Sequence, residues 1–170
     1  GRKLVQSGGY DKVTNVCAGG RRRQDSVRHG LDLLSACDWA IIHDGARPCF
    51  DDAMLQRGLE AASQVGSAVA GVPVKDTIKM VTQNQMVSET PDRSQIWAAQ
   101  TPQVFRYRTL MEAHKYSAND VTDDAAMVEN LGHPIKMFLG ADENIKVTTP
   151  ADLIIAEAFL RASYTPASST

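Results

Sequence analysis

Cysteine is scarce. Cys17, Cys37 and Cys49 are the only three in 170 residues, and they share no metal-ligand spacing, which excludes both a disulfide scaffold and a zinc site built on thiols. Long apolar runs are also lacking. No stretch approaches the roughly 20 residues that a spanning helix needs, and no segment has the form of a secretory leader. Net charge is small, at -2, which excludes a nucleic-acid binder dominated by phosphate neutralisation; the densest basic cluster is Arg21-Arg22-Arg23. A soluble protein of a reducing cytoplasm, with no membrane or nucleic-acid partner, is the expectation. The chain opens on Gly1-Arg2 and not on Met, and is expected to be part of a longer polypeptide.

What is present is a hydrophobic content of 43%, enough for the core of one domain. Residues 1–12 read as the tail of a helix closed by Gly8-Gly9, and 13–17 as a short buried strand. Asp25-Ser26 offers an N-cap, with Val27, Leu31 and Leu34 at helical spacing, predicting a helix over 26–36. A strand over 39–42 follows, then a helix capped by Asp51 or Asp52, then an apolar strand over 67–74. Such alternation predicts an α/β fold, a mostly parallel sheet with helices on both faces.

The rhythm breaks at residues 77–81 and 86–89, two short strands around a polar T-Q-N-Q turn. They predict a β-hairpin arm over 75–93, and a lone hairpin of this size leans on something, often a second subunit. A strand over 96–105, a helix over 107–117, a helix begun by Thr122-Asp123-Asp124 and closed by Gly132, strands over 135–139 and 144–147, and a helix over 150–162 complete the order. One domain over 1–162 and a loose tail over 163–170 are the expected organisation.

Candidate site residues stand out at strand ends. Asp44 closes the strand over 39–42, and the carboxyl ends of strands in an open α/β sheet are where ligands collect. It either meets a metal or phosphate ligand there or braces the Gly-Ala-Arg-Pro turn. Arg47 adds a fork suited to phosphate. Gly20 and Ser26 flank a turn that either approaches a ligand or simply caps a helix. Thr77 and Arg93 lie near the two ends of the arm and so near each other, a hydroxyl and a guanidinium that suit phosphate. Thr122 is either a cap or a contact. Lys146, between two apolar neighbours, either snorkels to water or points into a polar site. His114 reads as a packed helix residue without a partner motif.

Six stretches in order, G-G-R-R-R-Q-D-S-V (19–27), I-I-H-D-G-A-R-P (41–48), V-P-V-K-D-T-I-K (72–79), D-R-S-Q-I-W-A-A-Q-T-P-Q-V-F (92–105), V-T-D-D-A (121–125) and N-I-K-V-T-T-P-A-D-L (144–153), resemble the 2-C-methyl-D-erythritol 4-phosphate cytidylyltransferases. The resemblance implies a doubly wound, Rossmann-like nucleotidyltransferase with a projecting β-hairpin arm exchanged across a homodimer. It implies transfer of a cytidylyl group from CTP to methylerythritol phosphate with Mg²⁺, in a bacterial cytoplasm or a plastid. By the same resemblance Asp44 engages the metal, and Arg47, Thr101, Thr122 and Lys146 surround the substrate phosphate. Thr77 and Arg93 reach the neighbouring subunit's acceptor, with Arg93 and Lys146 joining Asp44 in catalysis, and Gly20 and Ser26 hold the nucleotide. The family's N-terminal glycine-rich loop has no counterpart in these residues, and Arg21 stands where relatives carry an acid. A ribitol-5-phosphate cytidylyltransferase and a non-catalytic dimerisation module are the other readings.

Overall fold

The computed structural model describes residues 2–35, 37–116 and 120–164. Helix α1 (Arg2–Gly8) is followed by α2 (Arg23–Leu31), β1 (Trp39–Ile42), α3 (Asp52–Val65) and β2 (Ser67–Pro73). The hairpin strands β3 (Met80–Val81) and β4 (Val87–Glu89) come next, then a 3₁₀ turn over Arg93–Gln95 and the long β5 (Trp97–Arg106). Helices α4 (Tyr107–Tyr116) and α5 (Asp124–Asn130), β6 (Lys136–Leu139) and α6 (Pro150–Tyr164) close the order.

Four strands form the central sheet in the order β1-β5-β2-β6. β2 pairs parallel with β6, and β5 runs antiparallel between β1 and β2, so β1, β2 and β6 share one direction. Because strand side chains alternate, each strand feeds both faces. Val69 and Phe105 pack with Leu31, Leu110, Ala113, Met127 and Val128 of α2, α4 and α5. Ala68, Ala70 and Val104 face the other way, against Met54, Ala61 and Ala62 of α3. Helices therefore cover both faces, as the alternation of elements predicts.

Local chemistry sets several boundaries. Asp51 caps α3 through the amide of Met54 at 2.6 Å, and Gly66 ends that helix with a positive φ of 101°. The cap of α5 is Asp123, whose carboxylate accepts from the Ala126 amide at 3.0 Å, so Thr122 is free of that duty. At the last helix, Asp152 reaches back to the amides of Thr148 and Thr149, both at 2.8 Å.

Four expectations need correction. Residues 13–17 form no strand and lie mostly exposed, because no described strand runs beside them to satisfy their backbone. Residues 144–147 likewise form no strand; the amide of Val147 pairs with the carbonyl of Ala46, a loop, at 2.8 Å. Helix α2 starts at Arg23, three residues earlier than the cap reading, since Asp25 lies inside the first turn and accepts from the Arg22 amide at 3.1 Å. It also ends at Leu31 and not at 36. The tail loses two residues to α6, which continues to Tyr164, and residues 165–170 lie outside the described residues.

Two helical glycines should respond in opposite ways. A Cβ on Gly58 of α3 would meet Phe138 Cζ at 2.9 Å and Val104 Cγ2 at 3.0 Å, whereas one on Gly30 of α2 would meet nothing within 4 Å. Gly58→Ala should lower stability by about 1 kcal/mol, overpacking outweighing helix propensity. Gly30→Ala should raise it by about 0.5 kcal/mol. Urea midpoints that move in the same direction for both variants would contradict this packing.

Candidate active site

Asp44 lies two residues beyond Ile42, the last residue of β1, at the carboxyl end of that strand, the position at which ligands gather in such sheets. Its two carboxylate oxygens are held by different cations. Arg23 Nε lies 3.3 Å from Oδ1, and Lys146 Nζ lies 2.8 Å from Oδ2. Around it opens a cleft of about 200 Å³ lined by Arg23, Asp44, Arg47, Thr101, Thr122 and Lys146, with Gln100, Gln103 and Asp123 completing the wall. Of the nine residues singled out from the sequence, the fold thus brings five into one cleft: Asp44, Arg47, Thr101, Thr122 and Lys146.

The floor is a continuous network. The Asp44 amide donates to Thr101 Oγ1 at 3.0 Å, and that hydroxyl lies 3.1 Å from His43 Nδ1. His43 Nε2 lies 2.9 Å from the Arg47 carbonyl. A carbonyl can only accept, so Nε2 carries the proton and Nδ1 accepts from the Thr101 hydroxyl. Thr101 therefore spends its hydrogen on His43, and its hydroxyl braces the turn carrying Asp44. Arg47 is anchored separately, donating to the Asn144 carbonyl at 2.6 Å. Asn144, fully buried, in turn donates to the Thr101 carbonyl at 2.8 Å and to Gln100 Oε1 at 3.1 Å. One side chain thereby ties β5 to the segment bearing Lys146.

Gly20 and Ser26 close a loop beside this cleft without lining it: the Gly20 amide donates to Ser26 Oγ at 2.9 Å. A Cβ at Gly20 would fall 2.2 Å from Asp25 Cβ and 2.9 Å from its backbone, so only glycine fits. Thr77 and Arg93 belong to the arm and line no part of the cleft within one chain. Arg93 donates to the Lys75 carbonyl at 2.7 Å, which pins the two ends of the arm together.

Three participants escape a residue-by-residue reading. Arg23 belongs to a basic run, but it opens α2, where the helix dipole disfavours a cation; that misfit is the signal of a partner elsewhere. Asp124 is the second of two adjacent acids at a helix start, and only one of them can be the cap. Asn144 reads only as the first residue of the expected strand over 144–147, and nothing local announces its burial. His114, read as packed and without a partner, is indeed buried, with Nε2 3.2 Å from Asp124 Oδ1 but off the line of a hydrogen bond.

Partial burial opposes ionisation of Asp44, yet the hydrogen bond from Lys146 and the charges of Arg23 and Lys146 outweigh it and hold the carboxyl below its ordinary value. Burial works on Arg47 in the opposite sense, lowering its pKa against the pull of Asp44. A depressed carboxyl contributes stability that is present above the ordinary aspartate pKa of about 3.9 and lost as pH falls through the lower folded value. The difference in urea midpoint between the wild type and Asp44→Asn should therefore be constant from neutrality to about pH 5 and shrink below about pH 4. A difference that does not change with acidification would contradict the ion pairing.

The sequence model of the 2-C-methyl-D-erythritol 4-phosphate cytidylyltransferase family matches residues 2–162. A relative of that name from Dehalococcoides mccartyi is 47% identical over 160 residues, covering 94% of this chain and 70% of its own length. Another, from Syntrophotalea carbinolica, is 47% identical over 164 residues with the same two coverages. Among solved structures, a 4-diphosphocytidyl-2C-methyl-D-erythritol synthase from Anaerococcus prevotii superposes with a TM-score of 0.85 at 27% identity, over 94% of this chain and 75% of that one. The 2-C-methyl-D-erythritol 4-phosphate cytidylyltransferase of Thermus thermophilus superposes at 0.77 with 36% identity, over 85% and 72%. With its strand-end aspartate, its cation-lined cleft and these matches, the chain belongs to the 2-C-methyl-D-erythritol 4-phosphate cytidylyltransferase family.

Proposed function

We propose that the cleft around Asp44 transfers a cytidylyl group from CTP to 2-C-methyl-D-erythritol 4-phosphate, a step of isoprenoid precursor synthesis. An oxygen of the acceptor phosphate attacks the α-phosphorus of CTP, the bond to the bridging oxygen breaks, and pyrophosphate leaves with its electrons, giving CDP-methylerythritol. The observation that carries this reading is a carboxylate at a strand end gripped by Arg23 and Lys146, with Arg47 lining the same cleft, in a chain of this family. Two anionic substrates must be brought together, and catalysis of such a transfer is mostly positioning and charge neutralisation.

Each residue has a part in that scheme. Lys146, half-exposed, can leave Asp44 for the phosphates as substrate arrives, and Arg47 offers its guanidinium face from a fixed base. Thr122 presents a hydroxyl unclaimed by the cap of α5. Thr101 lines the same wall while bracing Asp44. Gly20 and Ser26 form the nucleotide side, where a tight loop lets a base and ribose come close to backbone.

The fit of a divalent ion can be judged from the donors present. Asp44 offers a carboxylate in the cleft, and among the described residues no group of three or more His, Cys, Asp or Glu side chains could hold a metal. An ion would rest on Asp44 and on substrate phosphate oxygens, the sharing that Mg²⁺ favours over an all-protein cage. Bound there, Mg²⁺ would supply neutralisation of phosphate charge.

The arm supports a homodimer. Met80, Val81, Met86 and Val87 of β3, β4 and their turn are all more than half exposed, on a two-stranded hairpin with no sheet to lean on. A second copy would cover that surface and receive Thr77 and Arg93 at its own acceptor site. The free cysteines, none of them paired, suit a reducing compartment.

Pyrophosphate release from CTP should require methylerythritol phosphate; faster turnover with ribitol 5-phosphate would overturn the acceptor assignment. Arg93→Ala should cut kcat at least about 10-fold with CTP affinity nearly unchanged, since in this reading it meets the acceptor and not CTP. Mixing Arg93→Ala with Asp44→Ala protomers should restore part of the activity, because a hybrid dimer carries one site with both residues intact. No recovery on mixing would count against a site shared between subunits.

A further inference from the structure

We propose that Asp124 is a positioning residue of the transfer site: a buried carboxylate that aims the Arg23 guanidinium at Asp44. The inference rests on the reading of Asp44 as the carboxylate of the transfer centre and extends it to a residue outside the cleft. Arg23 bridges two acids that lie on different elements. Its Nη1 is 2.6 Å from Asp124 Oδ2, and its Nε is 3.3 Å from Asp44 Oδ1. The guanidinium is planar, and its donors keep a fixed geometry, so a firm hold on one nitrogen sets the direction of the others. The shorter contact is with Asp124, which makes that acid the anchor and Asp44 the residue being aligned.

Asp124 itself is enclosed. It is the first residue of α5 and is entirely excluded from water. The residues beside it are stitched to β5 through one buried glutamine. Gln103 Nε2 donates to the Asp123 carboxylate at 2.8 Å, and Gln103 Oε1 accepts from the Ala125 amide at 3.3 Å. Behind the carboxylate sits the His114 imidazole of α4, 3.2 Å away. Asp124 therefore cannot follow Arg23; Arg23 must come to it.

The same turn of α2 carries two further straps. Arg22 donates to Asp120 at 3.0 Å, and the Val121 amide donates to Gln24 at 3.2 Å. Arg22, Arg23 and Gln24, three consecutive residues just after the Gly20 loop, thus hold the segment bearing Thr122 and the carboxylate of Asp44 at once. Stability alone does not call for a charged pair here, because an apolar contact of similar volume serves a core at least as well. The charge is needed where a cation must be aimed.

Asp124→Asn keeps the shape and removes the charge. Nitrogen-15 spectra of the arginine Nε–H groups, with the Arg23 signal assigned by Arg23→Lys, should show a protected Arg23 proton in the wild type. That proton should exchange about 10-fold faster or more in Asp124→Asn, while the variant still unfolds cooperatively. In turnover, Asp124→Asn should lower kcat about 10-fold with the KM for CTP within about 2-fold, as loss of an orienting partner does. Added to Arg23→Met, it should change kcat by less than about 2-fold, because a residue acting only through Arg23 has nothing left to act on. An unchanged Arg23 signal in Asp124→Asn, or effects of the two substitutions that multiply, would overturn the proposal. If Asp124→Asn does not fold, Asp124→Glu, which moves the charge by one methylene, provides the same comparison: a shifted signal and lower kcat support the role, and no change in either refutes it. Absence of any turnover in the wild type would fall on the transferase reading, and the Arg23 signal would then decide the role of Asp124 by itself.

Discussion

The Asp44 carboxylate is held on one oxygen by Arg23 and on the other by Lys146, and these two cations come from opposite ends of the chain. A carboxylate so placed stays ionised despite partial burial. It also offsets a crowding of charge: three positive groups, Arg23, Arg47 and Lys146, share a cleft of about 200 Å³, and a nearby anion relieves their mutual repulsion. The anion also keeps the cleft ready. In the proposed reaction the cations would exchange one negative partner for another as phosphates arrive, with less rearrangement than an open, hydrated site would need.

Around that exchange the sheet supplies rigidity. β5 lies between β1 and β2 and contributes Gln100, Thr101 and Gln103, each of them buried and each bonded to a different neighbour. Thr101 braces the Asp44 turn, Gln103 fixes the start of α5, and Gln100 meets Asn144. Breaking one of these contacts would leave an unpaired polar group in the interior, which costs more than the bond itself is worth. The site is thus tied to the core, whereas the arm is tied only at its base. A firm pocket and an exposed arm are what a site completed by a second subunit would require.

Parts of this protein were legible from residue order alone. The bounds of β1, an aspartate cap of α3 at Asp51 or Asp52, the hairpin around its polar turn and helices on both sheet faces all follow from nearest-neighbour chemistry, as hydrophobic spacing, side-chain caps and turn residues act within a few positions. Family likeness supplied most of the cleft. Local reading failed where the partner was remote. Residues 13–17 and 144–147 have the composition of strands, but a strand exists only against another, and among the described residues none lies beside either.

The sequence by itself determined most of the helix and strand segments and that an acid would stand just beyond β1, because those outcomes depend largely on contacts a few residues long. Only the tertiary structure decided the charge pairing. Arg23 and Asp124 are 101 residues apart, Arg47 and the Asn144 carbonyl 97, and no rule of spacing relates them. Their meeting depends on β5 running back between β1 and β2, which brings the start of α5 over the start of α2. Coulomb attraction and hydrogen bonding then act across a few ångströms of space, where chain distance has no bearing.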